Sequence, residues 1–353
     1  MFSSTPRQLT LRQSLLAAIS TMLVWGLEYY DIILFASLAS ILETYFFPSK
    51  IAIIGAIETW GAFATTYFVR PVGAIIFGWI GDVRGRRLAT ILDAALVGLA
   101  TLLIGLLPTY SIAGVLAPIL LYLMRALQGI GLGGEAGGGA TWALELTPRN
   151  IRPYINGVMY SGLSWAVFLT SFVTLSVKSV MPQTFSVYGW RILFITGAVP
   201  ALIALVIRLW GSESPEWVEQ VKSRGVAKVP LGVVLSRYWA PFIALILINL
   251  GLTIYYYGGS GYWAYVMPKL VAPKLQVPVD KAYTWALVLG MYGGIGAVIG
   301  EVLSGFLVRA LGIWGSFIVP STLLLITSPF IVYLAFTLNP LSTYTSLLMG
   351  VLF

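Results

Sequence analysis

LLAAISTMLVWGLEYYDIILFASLASIL, residues 15–42, is an almost unbroken apolar run with two acids, Glu28 and Asp31, in its interior. At 1.5 Å per residue a helix of this length crosses a hydrocarbon core of ~30 Å. A carboxylate at bilayer depth costs several kcal/mol on insertion scales, so it belongs against protein or a water-filled cavity rather than lipid. The three-residue spacing sets both acids on one helical face. Two readings stand on this stretch alone: a proton or ion site, or a buried salt bridge that only joins helices.

The rest of the chain has the same character. Of its 353 residues 58% are hydrophobic and 10% charged, and the mean hydropathy is +0.89. Soluble domains carry roughly 25% charged residues. The chain therefore reads as an all-α integral membrane protein whose helices are apolar all round, since its runs far exceed the ~10-residue alternating segments of a membrane β-barrel. The net charge of +8 is scattered over short connections, which argues against a nucleic-acid partner. Neither cysteine nor histidine is present, so proton chemistry falls to carboxylates, and neither a metal site nor a cofactor is expected. The N-terminus is not a cleavable signal, because the apolar run after it is too long.

Apolar runs predict spans near 15–42, 54–80, 88–107, 113–143, 153–177 and 190–210, then 239–267, 283–308 and 315–337, with a final run from about 342. Thirteen Lys and Arg residues fall on the side of the N-terminus and six on the other, while Arg70 and Arg125 lie within spans. The positive-inside bias then places the N-terminus in the cytoplasm, with the chain in the cytoplasmic membrane. The organisation expected is a six-helix bundle over 1–210, a charged, solvated cytoplasmic linker over 211–238 and a second bundle over 239–353. In that linker Pro215 after Ser214 predicts the first turn of a short surface helix. Leu341 to Phe353 is too short to span and no polar tail follows, so a chain truncated within its second half is expected.

Between the second and third spans lies Gly78-Trp-Ile-Gly-Asp82-Val-Arg-Gly85-Arg86-Arg87. Its glycines permit a tight turn and close helix approach, Asp82 can accept bonds from helix-end amides, and the arginines suit acids on neighbouring helices, Glu145 above all. Gly305, Arg309 and Gly312 follow Gly78, Asp82 and Gly85 at a constant offset of 227, a faded internal repeat. The fourth span contributes Arg125-Ala-Leu-Gln128-Gly129-Ile-Gly131-Leu-Gly133-Gly134-Glu135, with Gly129, Gly133 and Gly137 making a flat packing face. Arg125 and Asp31 lie at matching depths, ~15 and ~16 Å from the outer face, so a pair between them is geometrically allowed.

The loop GxxxDxxGRR after a second span resembles the signature of the major facilitator superfamily. Within it, RxxQGxGxGGE together with Glu28-Tyr-Tyr-Asp31 is most similar to the metabolite:proton symporters, and sugar porters come next. The resemblance implies a two-bundle helical fold and alternating access. It further implies uptake of a small polar metabolite, a carboxylate or zwitterion, with protons. It places Asp31 at the cavity. The candidate proton-coupling and substrate residues are Asp31, Glu28, Arg125, Gln128, Glu135, Tyr256 and Tyr257. Tyr256 and Tyr257 precede a glycine-interrupted stretch, Gly258-Gly259-Ser260-Gly261, which reads as a discontinuous helix that exposes backbone groups and bends during gating, with the aromatics lining a substrate site or acting as an outer gate. The candidate gating loop is Gly78, Asp82, Gly85, Arg86 and Arg87, with Glu145. Asp93 and Arg70, read near the cytoplasmic ends, can reach water by snorkelling. A substrate-sensing protein that transports nothing would share these motifs, whereas no nucleophile or metal constellation points to an enzyme. A monomer with a small molecule, protons and the lipid bilayer as its partners is expected.

Overall fold

The computed structural model describes residues 11–49, 51–224, 238–244, 246–247, 272–337 and 341–352. Among the described residues every regular element is helical. Helix α1 (Leu11–Phe46) is the first span, and its buried positions run round its circumference, as the continuous apolar run requires. The second span is broken: α2 (Ala52–Phe68) ends at Val69, and α3 (Arg70–Arg84) continues it. Pro71 is the cause, because it has no N–H for the carbonyl of Tyr67 four residues back. The expected end of this span near residue 80 moves to Arg84, so Arg70 lies mid-span rather than near an end. Helix α4 (Arg86–Leu106) is the third span. A single turn, α5 (Tyr110–Ala113), and a positive-φ glycine, Gly114, lead into α6 (Leu116–Glu145). Helices α7 (Arg152–Val180) and α8 (Trp190–Trp210) follow, and α9 (Pro215–Arg224) is the short helix expected after Ser214.

Beyond these come α10 (Ala272–Leu275), α11 (Val279–Phe336) and α12 (Leu341–Leu352). The apolar length of α11, Val279–Phe330, would measure ~78 Å if straight, more than twice a bilayer core, and it breaks at Gly312, where φ is 71°. Spans eight and nine are thus two helices meeting at Gly312. Gly85, its counterpart at the offset of 227, likewise breaks two helices with φ 111°. The repeat legible in the sequence is a repeat of backbone geometry.

Helix α1 packs against α2, α6, α7 and α8, and α6 packs against α2, α3 and α4. In lipid no hydrophobic gain separates helix from helix, so close approach must come from small residues and polar contacts. The glycines of α6 supply it: a side chain at Gly129 would enter the carbonyl of Thr66, one at Gly133 the carbonyl of Arg70, and one at Gly131 would meet Val97 of α4. Gly73 of α3 presses back on the carbonyl of Ile130. Helix α7 joins the first six spans to α11 in the same way, with Gly157 on the carbonyl of Glu301 and Gly294 on Phe168. Large apolar side chains such as Ile57, Phe68, Ile75 and Leu202 point outward, as lipid contact demands.

Candidate functional site

Two apolar cores flank the middle of α1. One gathers Leu38, Leu42 and Phe46 with Trp190, and the other Ala17 and Ala18 with Trp142 and Met159. Between them Asp31 meets α6. Arg125 Nη1 donates to Asp31 Oδ2 and, at 2.9 Å, to Gln128 Oε1. Gln128 Nε2 donates to Asp31 Oδ1 at 3.1 Å and to Thr101 Oγ1 of α4 at 2.8 Å. Arg125 is fully buried and Asp31 only 2% exposed. The guanidinium lies over the Phe35 ring at 4.5 Å and near Phe63 at 5.7 Å, a cation–π arrangement strengthened by exclusion of water. Its Nε and Nη2 are buried and donate to no described residue. The site is therefore a neutralised ion pair with two donors still to satisfy, which suits a carboxylate or another acceptor.

Glu28 does not join this cluster. It pairs with Arg70, which the break at Val69 has turned toward α1. The common helical face of Glu28 and Asp31 thus serves two separate arginines, and Arg70 is held at mid-span by its partner and by the Tyr67 ring at 4.8 Å. Glu135 is displaced as well: two turns further along α6 it accepts from Arg208 Nη2 at 2.6 Å. Arg208 Nη1 also donates to Asp93 Oδ1 at 2.9 Å and to the Thr90 carbonyl at 2.6 Å, and its Nε to Ser20 Oγ at 2.7 Å. Asp93, Glu135 and Arg208 are all fully buried. Asp93 therefore does not snorkel to water as expected; burial beside Arg208 holds it inside the bundle. Asp93 and Glu135 lie at comparable depths, ~10 and ~15 Å from the nearer ends of α4 and α6, so the depth comparison that paired Asp31 with Arg125 carries the signal for this triad too. Tyr256 and Tyr257, with most of the expected seventh span, lie outside the described residues.

The loop between α3 and α4 is closed by residues of the 211–238 segment, expected to be a solvated linker. Glu213 accepts the backbone N–H of Arg87 at 3.1 Å, a carboxylate at a helix N-terminus. Asp82, expected in that role, instead binds Arg86 at 2.7 Å, while its carbonyl accepts from Trp217 Nε1 at 3.0 Å. Ser214 is buried and its hydroxyl caps α9 by accepting the Trp217 N–H at 3.1 Å. Arg87 donates to the carbonyls of Arg208 and Leu209 at the end of α8, and Arg86 approaches Glu145 at 3.9 Å. Gly78 has open space around it, so its expected part in close helix approach is not observed. Gly85 is different: its φ of 111° and ψ of 146° fall where only glycine is at ease, and a Cβ would enter the Glu213 carboxylate. Gly85→Ala is expected to cost about 1–3 kcal/mol, read as a lower melting temperature of the purified protein. An unchanged melting temperature would contradict this account of the loop.

Long apolar helices joined by a glycine-hinged basic loop, with ion pairs sealed inside the bundle, define a multi-pass membrane protein of the major facilitator fold. The chain belongs to the sugar (and other) transporter family, whose model matches residues 16–230. It is 29% identical over 325 residues to the inner membrane metabolite transport protein YhjE of Escherichia coli K12, covering 92% of this chain and 72% of that one. It is 33% identical over 246 residues to the shikimate transporter of the same organism, covering 69% of this chain and 56% of the relative. Among solved structures, a D-xylose-proton symporter superposes with a TM-score of 0.65 at 19% identity, over 97% of this chain and 80% of the other.

Proposed function

We propose that this protein is a secondary active transporter that moves a small polar metabolite, a carboxylate or zwitterion, across the cytoplasmic membrane with protons. Alternating access would rock residues 1–210 against 239–353 about the linker at 211–238, with the N-terminus in the cytoplasm and the chain acting as a monomer. The observation that carries this reading is the buried Asp31–Arg125–Gln128 cluster, which joins a carboxylate to an arginine with unsatisfied donors. An anionic substrate that takes those donors weakens the hold on Asp31 and frees it to bind a proton, so substrate and proton load together. The name of the shikimate transporter, a relative that carries an acid, supports a carboxylate. The family description favours a sugar as the second reading.

The test is uptake into proteoliposomes under an imposed pH gradient, with carboxylates, betaines and sugars screened in parallel. The wild-type chain is expected to accumulate one substrate class against its gradient. Asp31→Asn is expected to abolish accumulation while still exchanging substrate down its gradient. Accumulation by Asp31→Asn equal to wild type would sink the coupling role, and no flux of any class by the wild type would favour a sensor.

A further inference from the structure

We propose that Asp93, Glu135 and Arg208 form a second proton-holding site, separate from the Asp31 cluster, in which the two carboxyl groups share one proton. Charge is the first argument. Two carboxylates face one guanidinium, and all three side chains are fully buried. With both acids ionised the group would carry a net negative charge in the bundle interior, where an uncompensated charge is among the costliest features a fold can hold. Among the described residues no second cation pairs with either acid. The elements around the group offer only neutral contacts: the Ser20 hydroxyl of α1, which is turned to the Ala204 carbonyl, the Thr90 carbonyl of α4 and the Gly139 backbone of α6. One proton makes the group neutral.

Hydrogen bonding is the second argument. Arg208 holds one oxygen of each acid, and the other oxygen of each, Asp93 Oδ2 and Glu135 Oε2, is buried and accepts no bond from a described residue. The two nitrogens of one guanidinium hold the two carboxyl groups side by side, Nη1 on Asp93 at 2.9 Å and Nη2 on Glu135 at 2.6 Å. A proton placed on one acid gives that acid an O–H to donate to the free oxygen of the other, and satisfies both orphaned atoms at once. A metal cation would instead face the Arg208 guanidinium, already within 2.9 Å of both acids. Asp93 lies eight residues from Thr101 along α4, and Glu135 seven from Gln128 along α6, so the proton sits about 10–12 Å from the Asp31 cluster. It is not the proton assigned to Asp31.

Infrared difference spectroscopy of the purified protein at neutral pH tests this without reference to transport. The spectrum of wild type minus Glu135→Gln is expected to show a positive carbonyl-stretch band of a protonated carboxyl that shifts in D2O. Wild type minus Asp93→Asn is expected to show the same band, because either amide leaves a single carboxylate balanced by Arg208. Asp31→Asn is expected to retain it. Should one amide variant fail to fold, the other decides. A spectrum in which neither variant removes a protonated-carboxyl band, or in which Asp31→Asn removes it, overturns the proposal.

Discussion

Replacing Arg125 by alanine is expected to destabilise the protein by about 3–5 kcal/mol, the cost of leaving a buried carboxylate without its partner. The environment of Asp31 explains the size. The acid is 2% exposed and takes its bonds from Arg125 and Gln128; once the guanidinium is removed, one amide N–H remains against a full charge. The arginine also lies over Phe35, so the substitution opens a space beside the ring. Asp31→Asn in the same chain is expected to recover a large part of the loss, because the orphaned charge is gone, giving a coupling energy of about 0.5–3 kcal/mol across the double-mutant cycle. Denaturant unfolding in detergent measures all four proteins. Strictly additive effects would show that the two side chains do not act as a pair.

Gly133→Val is expected to prevent or severely weaken folding, and Gly129→Val to do the same. Each new side chain would have to occupy the position of a backbone carbonyl, that of Arg70 or of Thr66, and a carbonyl within a helix cannot rotate away. Overpacking a well-filled core costs about 1–3 kcal/mol even where side chains can shift, and here the helices themselves must separate. At Gly133 the separation draws α3 from α6 and carries Arg70 away from Glu28, so the damage extends from the backbone contact to the ion pair. Gly78→Ala is the control, since nothing lies within 4 Å of its added methyl. Melting temperature and recovery of monodisperse protein distinguish the three. Equal behaviour of Gly78→Ala and Gly133→Val would refute the close-packing account.

Asp31 with Arg125 shows how much of the site was legible in the chain. Both are ionised residues in apolar runs at equal depth, and a charge in lipid has few places to go, so depth nearly chooses the partner. Glu28 and Glu135 show the opposite. Nothing in the run around Glu28 announces that Pro71 will break the second span and swing Arg70 to mid-membrane. Glu135 shares a motif with Gln128 but not a cluster, because two turns along a helix is already another neighbourhood. Glu213 and Trp217 look like residues of a charged linker until the loop they close is seen.

The sequence by itself determined that this chain is a bundle of membrane-crossing helices, that Gly85 and Gly312 repeat at a fixed offset, and that Asp31 and Arg125 lie at one depth inside it. Those are consequences of length, hydropathy and the cost of charge in hydrocarbon, which act residue by residue. Only the tertiary structure decided which acid answers which arginine: Asp31 to Arg125, Glu28 to Arg70, and Asp93 with Glu135 to Arg208. The reason is that pairing depends on the rotation and separation of helices distant in sequence. In this bundle those are set by glycine faces in backbone contact, a geometry that exists only once the helices have met.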